Sequence, residues 1–304
     1  MMTVAFPDRS WIEDVGPVAG INPLVFDGSA HAALPDRLDV FIAPYVVDVE
    51  PLRRAVQVEG LRHVQLLTAG YDGALEVLPA GVTLSNAGSV HDDSTAELAL
   101  ALTLACQRGI PRAVRAAAEG RWDRPEMLPS LADRRVLLIG YGNVGKAIAR
   151  RLLPFRVQLT AVASRARGGD DLVDGVHGID ELSGLLPQAE VVIVVVPLTE
   201  ATRGLIGEDF LAALSDGSLV VNVARGPVAD TEAILRHAGR LRFGLDVTDP
   251  EPLPDGHPLF AAPDVLITPH VGGDTTAFRP RAVALLRSQL ALIGAGKSPA
   301  HVVN

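Results

Sequence analysis

Short apolar, β-branched runs alternate with stretches of helical periodicity along almost the whole chain, and that alternation predicts parallel βαβ units of an α/β protein. In the first third, strands are expected at residues 40–43, 63–67 and 82–85, with helices around 51–59 and 71–78 between them. A helix of high propensity covers 94–105. Beyond it the pattern predicts strands at 135–139, 159–163, 191–196, 219–223, 243–247 and 265–268, each closing in polar or turn-forming residues. The last helix, about 276–293, is apolar on one face and is expected to return to the first third of the chain. Residues 165–174 read as a polar loop.

One loop changes the picture. Gly140-Tyr141-Gly142-Asn143-Val144-Gly145 follows the strand at 135–139 and opens an amphipathic helix. In that context the first glycine permits a tight turn, the second lets a pyrophosphate approach the backbone, and the third packs helix on strand. The free N–H groups of the helix start then face the phosphates, so a dinucleotide is expected here. Enzymes that use NAD place an acid about 20 residues further on to hold the ribose 2′-OH. This chain has Ala163-Ser164-Arg165-Ala166-Arg167 at that point. A guanidinium with a hydroxyl beside it suits a 2′-phosphate, so Ser164 and Arg165, assisted by Arg167, point to NADP, with NAD as the alternative. Two Rossmann-like domains with doubly wound parallel sheets follow from the pattern. The expected division is a substrate domain from both chain ends (1–95 and 276–304) and a dinucleotide domain (96–275).

Composition narrows the partners. With 304 residues and 48% apolar side chains the chain can bury a large core. A net charge of −9, with basic residues scattered among acidic ones, leaves no stripe for nucleic acid. The longest apolar runs are of strand length and acids interrupt the amino terminus, so neither a membrane span nor export is expected and the protein is placed in the cytoplasm. The single cysteine, Cys106, has apolar neighbours and reads as a buried helix position, with no disulfide and no thiolate cluster. The histidines show no paired metal-ligand spacing.

Three strand-end loops carry titratable residues: Asn222-Val223-Ala224-Arg225-Gly226, Leu245-Asp246-Val247 with Glu251 beyond it, and Thr268-Pro269-His270-Val271-Gly272. Their order and motifs resemble the D-isomer specific 2-hydroxyacid dehydrogenase family, which includes glyoxylate/hydroxypyruvate reductases and phosphoglycerate dehydrogenases. The resemblance extends over nearly the whole chain. It is supported by Ala69-Gly70-Tyr71-Asp72, by Glu97 in an A-E-L helix start, and by Pro197-Leu198-Thr199 with Thr202.

The chemistry of alcohol oxidation needs a base for the hydroxyl proton, and His270 is the natural one, acting as acid in the reverse direction. Arg225 offers a fixed, always charged fork for a substrate carboxylate. The resemblance implies that Glu251 holds the other nitrogen of His270, that Asp246 orients the nicotinamide carboxamide, and that the backbone N–H groups of Ala69 and Gly70 bind the substrate carboxylate. The cofactor contacts it implies run through Tyr141, Gly142, Asn143, Val144, Ser164, Arg165, Arg167, Val196, Pro197, Thr202, Val223, Ala224, Asp246, His270 and Gly272. It also implies D stereochemistry, a closing cleft that excludes water, and a homodimer formed through residues 108–129.

The substrate is accordingly expected to be a small 2-oxo or 2-hydroxy acid, with Tyr45, Tyr71, His91 and Phe278 as the side chains that set its size. Asp92 or Asp93 is read as a helix cap and Trp122 as an interface or packing anchor. The chain ends at Asn304 soon after the last helix, so the regulatory domain of some phosphoglycerate-oxidising relatives is not expected. Two rival readings stay open. One is oxidation of another small anion such as phosphite, the presence of Glu251 arguing against formate; the other is a dinucleotide-sensing corepressor or scaffold of the same fold.

Overall fold

The computed structural model describes the chain from Met1 to Asn304 apart from Val46, Val47 and Glu126. It divides into two compact units, residues 1–91 with 276–304 and residues 92–275. The break falls at 91/92, not 95/96, because the first turn of the helix Asp92–Gln107 is tied into the second unit. Asp93 accepts from Arg151 at 2.8 Å, and Ser94 shares a hydrogen bond with Thr275, also at 2.8 Å.

The first unit holds a five-stranded parallel sheet of β1 (Met2–Phe6), β2 (Ile21–Val25), β3 (Val40–Ile42), β4 (His63–Gln65) and β5 (Thr83–Ser85), in the order β2-β1-β3-β4-β5. The reading from periodicity found only the last three of these. β2 escaped it because Pro23 interrupts its pattern, on an edge strand where a missing N–H is tolerated, and the amino-terminal β1 escaped with it. The helix Phe278–Gly294 buries Ala282, Leu286 and Leu290 in the same apolar cluster as Val4, Phe6 and Ile42.

The second unit is built on eight strands: β6 (Arg135–Ile139), β7 (Gln158–Ala163), β8 (Arg167–Asp170), β9 (Val173–Gly178), β10 (Val191–Val194), β11 (Leu219–Asn222), β12 (Arg242–Leu245) and β13 (Val265–Ile267). Their order is β13-β12-β11-β10-β6-β7-β9-β8, parallel except for the β8–β9 pair. The supposed polar loop at 165–174 is therefore largely a hairpin. All four residues of β8 are exposed, so it carries no apolar periodicity to read, and its Gly169 is needed because a Cβ there would lie 2.0 Å from the Val173 carbonyl oxygen.

Val191, Val192, Ile193 and Val194 of β10 are fully buried, as expected of a central parallel strand covered on both faces. Burial of such side chains contributes about 1.5–3 kcal/mol each. The register then aligns one row across the sheet: Val162, Ile139, Val194, Asn222, Leu245 and Ile267 are consecutive partners. Every dinucleotide and catalytic candidate of this unit lies just past that row, at the carboxyl edge where open parallel sheets bind ligands. No helix among the described residues is long and apolar enough to cross a membrane.

Candidate active site

β6 ends at Ile139 and Gly140 turns at φ 103°, a conformation open to glycine, with the Val195 carbonyl oxygen 2.2 Å from where a Cβ would stand. Gly145 is equally constrained, since its Cβ would lie 2.1 Å from the Gly140 oxygen. Over Gly142, by contrast, nothing stands within 4 Å of a Cβ position. The helix Asn143–Leu152 starts there without a side-chain cap, so its first-turn N–H groups lie beside that open space. Val196 packs toward Gly140. The turn after it is closed by Thr202, whose hydroxyl donates to the Pro197 carbonyl at 2.6 Å and accepts from the Thr199 N–H at 2.8 Å.

On the other side of the row, the loops after β11, β12 and β13 are knitted together. Asn222, fully buried, accepts from the Ala224 N–H at 3.0 Å and donates to the Arg225 carbonyl at 3.2 Å, which shapes the turn that presents Arg225. Val223 and Ala224 are buried beneath it, and the Arg225 guanidinium donates to the Ala224 carbonyl at 2.6 Å. At Gly226 a Cβ would stand 1.8 Å from the Thr248 oxygen, so the Arg225 turn and the loop leading to Glu251 touch backbone to backbone.

Asp246 anchors the third loop. Its buried carboxylate accepts from the Thr268 hydroxyl at 2.7 Å, the Val271 N–H at 2.9 Å and the Gly272 N–H at 2.9 Å. A carboxylate has about four acceptor sites, and three of these are taken within the protein. His270 sits at the tip of this loop at φ 54°, its own N–H held by the Asp246 carbonyl at 2.8 Å. Its ring Nδ1 is 2.5 Å from Glu251 Oε1, and both side chains are about one-third exposed. Imidazole, carboxylate and guanidinium thus stand on adjacent loops of one sheet edge, a set able to hold an anion and move a proton.

Residues 100–272 match the model of the D-isomer specific 2-hydroxyacid dehydrogenase, NAD binding domain. The chain belongs to this family. It is 31% identical to a glyoxylate reductase of Thermofilum pendens over 254 residues, covering 80% of this chain and 75% of that protein. To a human glyoxylate reductase/hydroxypyruvate reductase it is 32% identical over 248 residues, covering 79% and 75%. Among solved structures, a D-isomer specific 2-hydroxyacid dehydrogenase of Xanthobacter autotrophicus Py2 in complex with NADPH and MES superposes with a TM-score of 0.79, at 28% identity over 100% of this chain and 98% of that one. The protein is accordingly an NAD(P)-dependent oxidoreductase of 2-oxo and 2-hydroxy acids.

The residues present fit a dinucleotide: the open space over Gly142, the uncapped helix start and the enforced turns at Gly140 and Gly145 form a phosphate cradle. Ser164 and Arg165 follow β7 in an exposed turn, and Arg165 makes no hydrogen bond or ion pair with the described residues. Arg167 is committed in part within the protein. It opens β8, and its Nη2 donates to the Tyr141 carbonyl at 2.7 Å, so one end of its fork serves the glycine turn.

In the first unit, the Leu67, Thr68, Ala69 and Gly70 carbonyls accept respectively from His91, the Ala87 N–H, Asn86 and the Thr68 hydroxyl. The Ala69 and Gly70 N–H groups donate to no described residue. Tyr45, His91 and Phe278 stack on one another with ring centroids 4.4–5.5 Å apart, whereas Tyr71 is exposed. Asp92 and Asp93 lie within the first helical turn and not before it. Trp122 is 95% exposed, so it anchors no packing within the chain. Cys106 is held protonated, burial pushing its thiol up to about 11. Motif reading passed over Lys146 and Asp170, which meet at 2.8 Å beside the glycine turn; only the lysine directly after the third glycine hinted at them.

Proposed function

We propose that the protein reduces a small 2-oxo acid of the glyoxylate or hydroxypyruvate type to the D-2-hydroxy acid, with NADPH preferred to NADH. The observation that carries the reading is the His270–Glu251 pair at 2.5 Å on the same sheet edge as Arg225 and the glycine turn. The bound nicotinamide supplies hydride to the carbonyl carbon. His270 delivers the proton to the carbonyl oxygen from Nε2, because Nδ1 faces Glu251, and Glu251 fixes the ring. Arg225 holds the substrate carboxylate and polarises the carbonyl. The Ala69 and Gly70 N–H groups are read as substrate-binding donors of the first unit, and the remaining acceptor site of Asp246 is read as taking the nicotinamide carboxamide.

Several features support the cofactor choice. No carboxylate follows β7, Arg165 is uncommitted, and the Xanthobacter relative holds NADPH. Glyoxylate and hydroxypyruvate are the substrates named for the Thermofilum and human relatives. We further read residues 108–129 as a homodimer surface, since Val114, Trp122 and Met127 are exposed there at 62%, 95% and 94%. A cytoplasmic setting accords with the single cysteine.

The test is steady-state oxidation of NADPH and NADH with a panel of 2-oxo acids. His270→Ala should lower kcat by roughly 10²–10⁴-fold, and Arg165→Ala should raise KM for NADPH selectively. Turnover by His270→Ala at the parent rate would overturn the proton-donor assignment. Equal KM for the two cofactors in the parent protein would overturn the NADPH preference. Light scattering at the mass of one chain would remove the dimer.

A further inference from the structure

β8 is an edge strand with nothing buried, yet it is well formed, and its two ends are tied to the glycine turn. At one end Arg167 donates to the Tyr141 carbonyl at 2.7 Å. At the other, Asp170 Oδ1 accepts from the Tyr141 hydroxyl at 2.8 Å and from the Leu172 N–H at 3.0 Å, while Oδ2 meets Lys146 Nζ at 2.8 Å. Tyr141 is itself only 3% exposed, so its phenol is a fixed post. Burial, with Asp170 next, pushes the phenol up to about 12, and it remains a donor at neutral pH. Lys146, then the Leu172 N–H and Tyr141, hold the Asp170 carboxyl well below the usual carboxylate range, so it remains an acceptor.

Between β7 and β8 lies the turn that carries Ser164 and Arg165. From one side it is held by β7, whose Ala163 pairs with Gly178; from the other it is held by β8 alone. An exposed lysine–carboxylate pair contributes little by itself. Here the same carboxylate also receives a buried phenol and closes the hairpin tip, so its removal unties the far end of β8 at three points.

We propose that Asp170 is a positioning residue for cofactor selection: by joining Tyr141, Lys146 and β8 it presents Arg165 to the 2′-phosphate of NADPH. The inference rests on the NADPH reading given above and adds a residue to it that never touches the dinucleotide. It also makes a prediction of unusual sign. Asp170 is an acid on the hairpin that follows Arg165, so if it acted only as a charge, its loss would free Lys146 and tighten NADPH. As a positioning residue, its loss weakens NADPH.

Equilibrium titration of the purified protein with NADPH and with NADH decides between these. Arg165→Ala should raise the Kd for NADPH about tenfold or more, as expected for loss of a charged phosphate contact, with NADH within about twofold. Asp170→Ala should raise the NADPH Kd about fivefold and leave NADH within about twofold. Asp170→Asn, which keeps an acceptor for Tyr141 and the Leu172 N–H, should recover most of that loss. The double variant Arg165→Ala/Asp170→Ala should bind NADPH no more weakly than Arg165→Ala alone.

Tighter NADPH binding in Asp170→Ala, an equal rise for both cofactors, or multiplied losses in the double variant would each overturn the proposal. Should Asp170→Ala fail to fold, Tyr141→Phe takes its place, with a selective NADPH loss expected and an unchanged NADPH-to-NADH ratio overturning the inference. If Arg165→Ala leaves that ratio unchanged, the cofactor reading itself fails and the inference with it. If Arg165→Ala shifts the ratio and Asp170→Ala does not, only the inference fails.

Discussion

The two units carry parallel sheets of the same kind but put their polar residues in opposite places. In the first, buried polar side chains lie inside the strands: His63, Gln65 and Ser85 are all at most 4% exposed. Most of their polar atoms are paired within the unit, although His63 Nε2 has no partner among the described residues. Gln65 accepts from Gln289, Gln289 exchanges hydrogen bonds with Ala300, Ser85 donates to the Ala300 carbonyl, and His63 bonds Thr83. In the second, the central strands β10 and β11 are apolar up to the aligned row, and polar residues begin at that row with Asn222 and continue beyond it in Arg225, Asp246, Glu251 and His270. Polar groups within strands knit a unit together, whereas those beyond the strand ends are available to a ligand.

Asp246 crosses that division, because it is a strand-end residue used as a builder. Asp246→Ala would leave the Val271 and Gly272 N–H groups without their acceptor and untie the loop that carries His270. The expected cost is about 3–5 kcal/mol, read as a fall in the urea midpoint together with lost turnover. A variant of parent stability that loses only activity would place Asp246 with the ligand-facing residues instead.

His63 tests the other half of the comparison. Burial pushes its imidazole down to about 4, so below its ordinary value near 6.5 the unfolded chain binds a proton that the folded unit refuses. Its contribution to stability is whole above about pH 6.5 and is lost as pH falls toward 4. The window amounts to about 3 kcal/mol. Urea unfolding at pH 7 and pH 4.5 should show a steep loss in the parent and a flatter one in His63→Gln. The same slope in both proteins would mean that another group governs the acid limb.

The same contrast explains what the sequence disclosed. The glycine turn, Arg225 and His270 were legible because strand-end chemistry interrupts an apolar run abruptly, and the residue types match one task. β1 and β2 were not legible, Pro23 breaking the pattern of β2, whereas the three-residue strands were, although His63 and Gln65 interrupt β4 from within. β8 was illegible for another reason: Arg167-Gly168-Gly169-Asp170 buries nothing, and what shapes it is a tyrosine and a lysine near residue 141, contacts that no local window contains. The arginine bound to the Tyr141 carbonyl shows how far composition reaches. It marked Arg167 as a cation near the cofactor, but the direction of its fork is a tertiary fact.

Glu251 gives the smallest and most discriminating effect, because its pairing with His270 combines orientation and charge at a single 2.5 Å contact. Glu251→Gln can keep an oxygen facing Nδ1, so the ring stays oriented while the negative charge is lost; Glu251→Ala removes both. If the charge matters to proton delivery, Glu251→Gln should lower kcat for reduction about tenfold with little change in KM for the 2-oxo acid. Glu251→Ala should be lower still, and its separation from Glu251→Gln measures orientation. Equal rates in Glu251→Gln and the parent would make Glu251 a holder of the ring only, a knitting residue like those inside the first unit's strands that happens to stand beyond a strand end.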